Sequence, residues 1–599
     1  MGTPGGAVSA LERRAVAGLF WVALLAAAAA VFTMAGGSGT FDAGPLQVSV
    51  RNPTNPLIGV TIVAALGVWL VGPRTFLAPA ARLDVVLRRH AWALALAIAV
   101  SVLWASVALG SFVAGSADAS GYLNEARLWA RGNLHLEPRM RAPVAFEYGV
   151  QPLAPLGFRA SASGDTLVPT YPPGLPVAMA AFTRVAGEGA QFFVVPLAAC
   201  VLTWLAFLLG RELGGPLAGL LASAMTATSP TVLFQSLQPM SDVPATCALT
   251  LALVLLIRPS VGAALGAGVA AAAASLIRPN LFAVVPLLVL ATWWWEPTRH
   301  RSLARTVAFV LPPALVALAF SAWQRQLYGG LTETGYGPVE SLFALRHIGP
   351  NLRRYPVWLF DLHGLVLLLA PLAPVLLGRG AAAPALERGR AVRVGWSALA
   401  LFGALFVFYL LYPPFDSWAF LRFLLPALPA LFALVGVAVV GLTGRLSTPV
   451  GVIVWLLVLI GISTGELSRG REVGVFQLQR TEHRYVEVAD FAAEQPEPSL
   501  FVTLQHSGSL AYYTARPILR WDWVSPPEID RALEQLEASR VTVYLVLDDW
   551  EEPQFRSRFS GSRLAARLDA PVFTARLETT VRTSVYLVTA PVSPRLSGS

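Results

Sequence analysis

The sequence predicts a mainly α fold: a polytopic transmembrane helical bundle with a small α/β domain at its C-terminal end. Three observations predict it. The 599 residues are 55% hydrophobic and 13% charged, with a mean hydropathy of +0.60, which is too little charge to cover a soluble surface of this size. Apolar runs near the roughly twenty residues that cross a bilayer recur along most of the chain. Past about residue 467 charged residues become frequent and the apolar runs shorten.

Taken in order, the chain offers about thirteen candidate spans. Their approximate limits are 15–35, 57–72, 91–113, 191–210, 215–229, 242–257, 260–277, 281–295, 306–323, 363–377, 395–412, 421–441 and 449–465. The first follows Arg13 and Arg14, and its long alanine-rich run reads as an uncleaved helix rather than a signal peptide. Arg74, Arg82, Arg88 and Arg89 fall between spans two and three. Arg299, Arg301 and Arg305 fall between eight and nine, and Arg379, Arg388, Arg390 and Arg393 between ten and eleven. A cytoplasmic N-terminus puts all three loops inside, as the positive-inside bias requires. The loop 324–362, then placed outside, runs against the bias with Arg325, Arg346, Arg353 and Arg354.

This parity gathers four features on the outer side: the loop 114–190, the turn around Asp242, the loop 324–362 and the C-terminal segment. Elaborate loops on one face mark the working face. Within 114–190 the pattern predicts a helix at 124–129, a hairpin at 158–167 around Ala-Ser-Gly-Asp, and a short polar return at 182–191. The C-terminal segment predicts strands at 500–504, 518–523, 541–547 and, as a late edge strand, 585–589, with an amphipathic helix at 527–538.

Composition excludes several chemistries. All 44 basic residues are Arg, so there is no Walker lysine, Schiff-base lysine or lysine phosphate clamp. The net charge of +9 reflects loop arginines and does not argue for nucleic acid. Cys200 and Cys247 lie in apolar runs and read as packing residues. His135, His347 and His363 lack metal-ligand spacing and read as loop residues. No metal site is predicted, and a divalent cation is neither required nor excluded. The nucleophile elbow G-x-S-x-G and the zinc motif H-E-x-x-H are both missing.

Five positions could carry chemistry. Asp118 follows span three by about one helical turn, at the outer interface, where an ionised acid can act as a general base; its plainer reading is a solvated loop acid. Asp242, in Ser-Asp-Val-Pro, stands where an N-cap acid would also serve. Arg278, in Leu-Ile-Arg-Pro-Asn, and Arg422, in Phe-Leu-Arg-Phe-Leu-Leu-Pro, could grip a phosphate through the guanidinium fork. Interface anchoring, or an Arg422–Asp416 pair, is the alternative. Tyr171 opens the rigid turn Tyr-Pro-Pro-Gly-Leu-Pro and could dock a ring or headgroup.

In this order, these elements resemble the GT-C glycosyltransferases, which include protein O-mannosyltransferases and aminoarabinose transferases. Asp118 matches the acid that follows an early helix in the first large outer loop. Tyr171-Pro172-Pro173 matches the turn that closes that loop, and Ser241-Asp242-Val243-Pro244 an element opening a later helix. Gly266 to Asn280 matches a small-residue helix ending in Arg-Pro-Asn, and Arg422 a late Arg before Leu-Leu-Pro. The resemblance spans roughly 91–465. It implies three parts: extra N-terminal helices with a cytoplasmic loop at 1–90, a catalytic core at 91–466, and an extracytoplasmic domain at 467–599. It implies an enzyme that moves a sugar from a polyprenyl-phosphate donor to a protein, lipid or glycan acceptor on the outer face, with inversion. Asp118 and Asp242 are then the expected catalytic acids and Arg278 and Arg422 the donor-phosphate contacts. Tyr171, Glu125 and Tyr336 are the expected substrate contacts. The sequence departs from some relatives in having no Lys in the Pro-Pro turn. A secondary transporter and a non-catalytic assembly or sensor protein are the rival readings. Convergence of Asp118, Asp242, Arg278 and Arg422 on one cavity is the observation that separates them.

Overall fold

The computed structural model describes residues 10–37, 39–43, 46–50, 53–295, 299–331, 333–379, 385–575 and 581–589. Eight described helices are long and apolar enough to cross a bilayer: Arg14–Met34, Thr54–Phe76, Ala91–Leu109, Glu188–Gly214, Ser302–Tyr328, Glu387–Leu410, Trp418–Thr443 and Thr448–Glu472. Pro216–Thr228 and Pro230–Ser236, bent by 58° at their junction, add a ninth. The chain is a multi-pass membrane protein. Three more of the expected spans are shorter apolar helices, Asp242–Leu256, Val261–Ile277 and Pro279–Trp294. The one expected at 363–377 is broken into a 3-10 turn, Leu365–Leu369, and a short helix, Leu372–Arg379.

Local chemistry explains the breaks. Pro230 cannot donate its nitrogen to the helix before it, and Ser229 caps the new start by accepting from the Val232 amide at 3.2 Å. The carbonyls that end Asp242–Leu256 and follow it are taken by arginine. Arg305 donates to Leu256 O at 2.6 Å and to Arg258 O at 3.0 Å, and Arg390 donates to Ile257 O. Arginines expected for orientation therefore also close a helix end.

Trp418–Thr443 runs through the centre of the bundle and is buried along most of its length. Small residues let its neighbours come close: a Cβ on Gly436 would strike the Ala218 carbonyl. The first two helices are peripheral and pack on each other and, through the first, on Thr448–Glu472. An antiparallel hairpin, Gly39–Ala43 with Leu46–Val50, joins them, which the periodicity did not predict.

The helix Thr448–Glu472 leads to Gly474, whose φ of 81° turns the chain into the C-terminal domain. Its five-stranded sheet has the order Phe573–Thr574, Thr583–Thr589, Thr542–Asp548, Ser499–Val502, Ile518–Leu519. The last three are parallel; Thr583–Thr589 runs antiparallel to Thr542–Asp548, with Val585 opposite Val546. Thr583–Thr589 was expected at the edge and is interior, because Phe573–Thr574 pairs on its outer side. Alternation along the central strand sends Val543, Leu545 and Leu547 into one core and Tyr544 and Val546 into another. Both faces are covered, so the strand reads as one apolar run.

The loop 114–190 is more ordered than expected. Its first helix is Ala117–Arg131, its hairpin pairs Phe158–Ala160 with Leu167–Pro169, and its polar return is preceded by a helix, Gly174–Ala186. Leu175, Met179 and Ala180 bury one face of that helix, a spacing of four and five that the prolines on either side of Gly174 obscured.

Candidate active site

Asp118 is the second residue of the helix Ala117–Arg131, where the dipole favours an acid. The chain enters it through two residues in the left-handed region, Phe112 at φ 48° and Ser116 at φ 46°. Such conformations cost about 1–3 kcal/mol each in a non-glycine residue. They turn the chain sharply enough to bring Asp118 back over the bundle.

The turn Tyr171-Pro172-Pro173-Gly174 then closes against the same helix. Tyr171 donates its hydroxyl to Asp118 Oδ1 at 2.7 Å. Gly121 leaves the space that the Tyr171 ring fills, and a Cβ there would overlap it. Gly174 seats the turn on the helix that carries Arg278; its Cβ would lie 2.5 Å from the Ile277 nitrogen. Tyr122, one turn past Asp118, packs its ring 4.6 Å from that of Tyr171 and donates to Ser241 Oγ at 2.9 Å. Burial, and then the Asp118 charge, push both phenols well above their ordinary value. Both are hydrogen-bond donors, not bases.

Asp242 begins its helix almost wholly buried, at 1% exposure. Arg278 stands where Pro279 forces the preceding residue out of the helix, with φ −135° and ψ 97°. Its Nη1 pairs with Asp242 Oδ1. Arg422, in the 3-10 segment Trp418–Ala427, bridges the two acids: Nη2 is 2.9 Å from Asp118 Oδ2 and Nη1 is 3.8 Å from Asp242 Oδ2. The Phe423 ring faces both guanidiniums, at 5.7 Å from Arg278 and 5.6 Å from Arg422. Arg422 does not pair with Asp416; Arg354 does.

The four residues line one cavity of about 540 Å³. Beside them it is walled by aromatic side chains, among them Phe320, Trp323, Phe415 and Phe420. Tyr171 and Tyr336 also line it, and a Cβ on Gly335 would strike the Thr170 carbonyl, so the two loops meet there backbone to backbone. Glu125 does not line it. That side chain is fully buried within the loop layer, where Trp129 donates to Oε1 at 3.0 Å, and burial pushes its carboxyl well up. Helical spacing puts Glu125, seven residues on from Asp118, on the same side of the helix but two turns further along, where it is buried.

His363 was expected in a loop and is instead a buried helix-end residue, its Nδ1 2.9 Å from Glu466 Oε1. His347 is likewise buried, 2.9 Å from the Leu411 carbonyl. Among the described residues, no group of three or more His, Cys, Asp or Glu could hold a metal ion. The cavity also takes side chains that sequence reasoning passed over: Gln235 and Gln238 beside the helix break, and Gln505 from the C-terminal domain. Nothing in the local pattern marks an isolated glutamine as a cavity residue; its place depends on packing of distant segments.

No protein-family model matches the sequence, and no curated protein matches it. Among solved structures the chain is similar to ArnT from Cupriavidus metallidurans in the apo state, with a TM-score of 0.51 and 15% identity over 83% of this chain and 98% of that one. ArnT bound to undecaprenyl phosphate gives a TM-score of 0.49 at 14% identity, with the same coverage. The apo oligosaccharyltransferase of Archaeoglobus fulgidus gives 0.49 at 11% identity, over 79% of this chain and 71% of that one. At that identity the likeness to the apo ArnT structure shows a shared fold.

Proposed function

We propose that this GT-C-fold chain is a membrane glycosyltransferase that moves a sugar from a polyprenyl-phosphate carrier to an acceptor. One observation carries the reading. Two acids and two arginines, from four separate parts of the chain, interlock at one aromatic-walled cavity. The chemistry needs that set: a base for the acceptor, cations for the leaving phosphate, and an apolar wall for an isoprenoid. The working face is the one that bears the C-terminal domain, and it is extracytoplasmic if the N-terminus is cytoplasmic.

In the resting arrangement Arg422 is engaged by carboxylates. A phosphate offers the same fork a competing, bidentate partner. As Arg422 and Arg278 turn to it, Asp118 gives up its arginine and keeps the Tyr171 hydroxyl, which orients it. The acceptor hydroxyl then passes its proton to Asp118 while its oxygen bonds the anomeric carbon. The bond from that carbon to the phosphate oxygen breaks, and the electron pair leaves with the polyprenyl phosphate, whose charge the arginines hold. A single displacement inverts the anomeric centre. Asp242, buried beneath, fixes the two guanidiniums. An acceptor presented as a protein, lipid or glycan hydroxyl satisfies this scheme equally.

The test is purified protein in lipid nanodiscs with a panel of undecaprenyl-phosphate sugars. Release of undecaprenyl phosphate together with a glycosylated product is the expected result. Failure both to bind the sugar-free carrier and to consume any donor overturns the reading.

A further inference from the structure

Gln235 is 1% exposed, lines the cavity, and its Oε1 has no hydrogen-bond partner. A buried amide oxygen left unpaired costs about 1–3 kcal/mol, and native proteins keep few of them. The fold goes to some length to hold it there. Gln235 lies on Pro230–Ser236, the short helix set off by the 58° bend, and so stands inside the cavity rather than along the helix before it. The residues around the bend are anchored away from the cavity. Ser236 Oγ donates to Leu233 O at 2.8 Å and accepts from Ser106 Oγ at 3.2 Å, and Thr231 lies 3.4 Å from His363.

Four further amides line this space, Gln238, Asn280, Gln324 and Gln505, alongside tyrosine, serine and threonine side chains. Tyrosines aside, the ionisable side chains lining the cavity are Asp118, Asp242, Arg278 and Arg422, and these engage one another. An ammonium or carboxylate on the sugar at Gln235 would meet an uncharged amide in a desolvated place. Burial there is far more costly for a charge than for a hydroxyl. A hydroxyl supplies the donor that Oε1 lacks without bringing a charge into that place.

We propose that Gln235 is a specificity-determining residue that accepts a hydrogen bond from a hydroxyl of the donor sugar, and that the transferred sugar is uncharged. This rests on the lipid-phosphate donor reading above. It adds the class of sugar and the residue that reads it. A site built to hydrogen-bond a hydroxyl discriminates against a sugar that lacks it, because the protein group is then left unpaired.

The experiment uses the full chain in nanodiscs and four ligands: undecaprenyl phosphate without sugar, and undecaprenyl phosphate bearing a neutral hexose, an amino sugar or a uronic acid. Wild type should bind the neutral-hexose donor more tightly than either charged-sugar donor. Gln235→Met, close in volume and without the acceptor, should weaken the hexose donor about tenfold and leave the sugar-free carrier unchanged. Equal weakening of all four ligands would make Gln235 a packing residue and overturn the assignment. Tighter binding of a charged-sugar donor to wild type overturns it without any variant, so a Gln235→Met chain that fails to fold leaves the idea testable. If wild type neither binds the sugar-free carrier nor consumes any donor, the donor reading itself falls and the inference falls with it. If the carrier binds and a charged sugar is preferred, only the inference falls.

Discussion

Arg422 Nη2 lies 2.9 Å from Asp118 Oδ2, a contact that joins residues 304 positions apart. It links the expected phosphate site to the expected base in the resting protein. Whatever takes Arg422 from Asp118 changes both at once.

The first prediction concerns the arginines. Arg422→Ala and Arg278→Ala should each weaken undecaprenyl phosphate binding by at least about tenfold, since each removes a charge-assisted bond. Arg422→Lys should recover only part, because an ammonium cannot bridge two oxygens as a fork does. Titration of the purified variants measures this. Unchanged affinity in both alanine variants would assign the arginines to holding the bundle.

For Asp118, Asp118→Asn keeps the shape and one acceptor oxygen and removes the base. General-base contributions are about 10²–10⁴-fold, so sugar transfer should fall at least about a hundredfold while carrier binding survives. Asp118→Glu should also be impaired, since attack geometry tolerates little displacement. Near-normal transfer by Asp118→Asn at matched protein level would make Asp118 a structural partner of Tyr171 and Arg422 and remove the base.

Tyr171 and Gly121 make a paired test of positioning. Tyr171→Phe deletes the 2.7 Å bond to Asp118 and leaves the ring in place, so transfer should fall about tenfold with the fold intact. Gly121→Ala puts a methyl into the Tyr171 ring and should move the whole turn. We expect it to lose more activity than Tyr171→Phe and to lower the thermal midpoint as well. A harmless Gly121→Ala would mean that the Tyr171 ring is not held where it contacts Asp118.

The C-terminal domain should respond to pH. Glu551 is fully buried beside the end of the central strand. Burial pushes its carboxyl up to about 8 from 4.5, although the Asp548 and Gln505 amides donate to it. Between those values the unfolded chain binds fewer protons than the folded one, so stability falls as pH rises from about 4.5 to about 8. Burial also works to raise Asp548, but His506 and Arg484 hold it well below the ordinary range. Its contribution is complete above that range, and is lost only on acidification below it. Hydrogen exchange of Thr542–Asp548 in the full chain, corrected for intrinsic rates, should therefore show more protection at pH 5.5 than at pH 8. Glu551→Gln should flatten the difference; a wild-type slope of the opposite sign would contradict the assignment.

Orientation gives a last test. Reporters that replace the chain beyond Arg388 should read cytoplasmic, and those that replace it beyond Ser499 should read outside. A C-terminal domain that reads inside would invert the bundle and move the cavity to the cytoplasmic face.

The sequence by itself determined the membrane class, the arginine-only anion chemistry and the order of Asp118, Tyr171, Asp242, Arg278 and Arg422. These follow from composition, run length and local turn residues, which act over a few positions. Helices such as Asp242–Leu256 were found as apolar runs at nearly their observed length, because run length is itself a local property of the sequence. Tertiary structure alone decided that Arg422 bridges Asp118 and Asp242 and leaves Asp416 to Arg354. It also decided that Gln235 and Gln505 line the cavity while Glu125 does not. Such pairings depend on how distant segments pack, and a charged or amide side chain has the same local preferences whichever partner it meets.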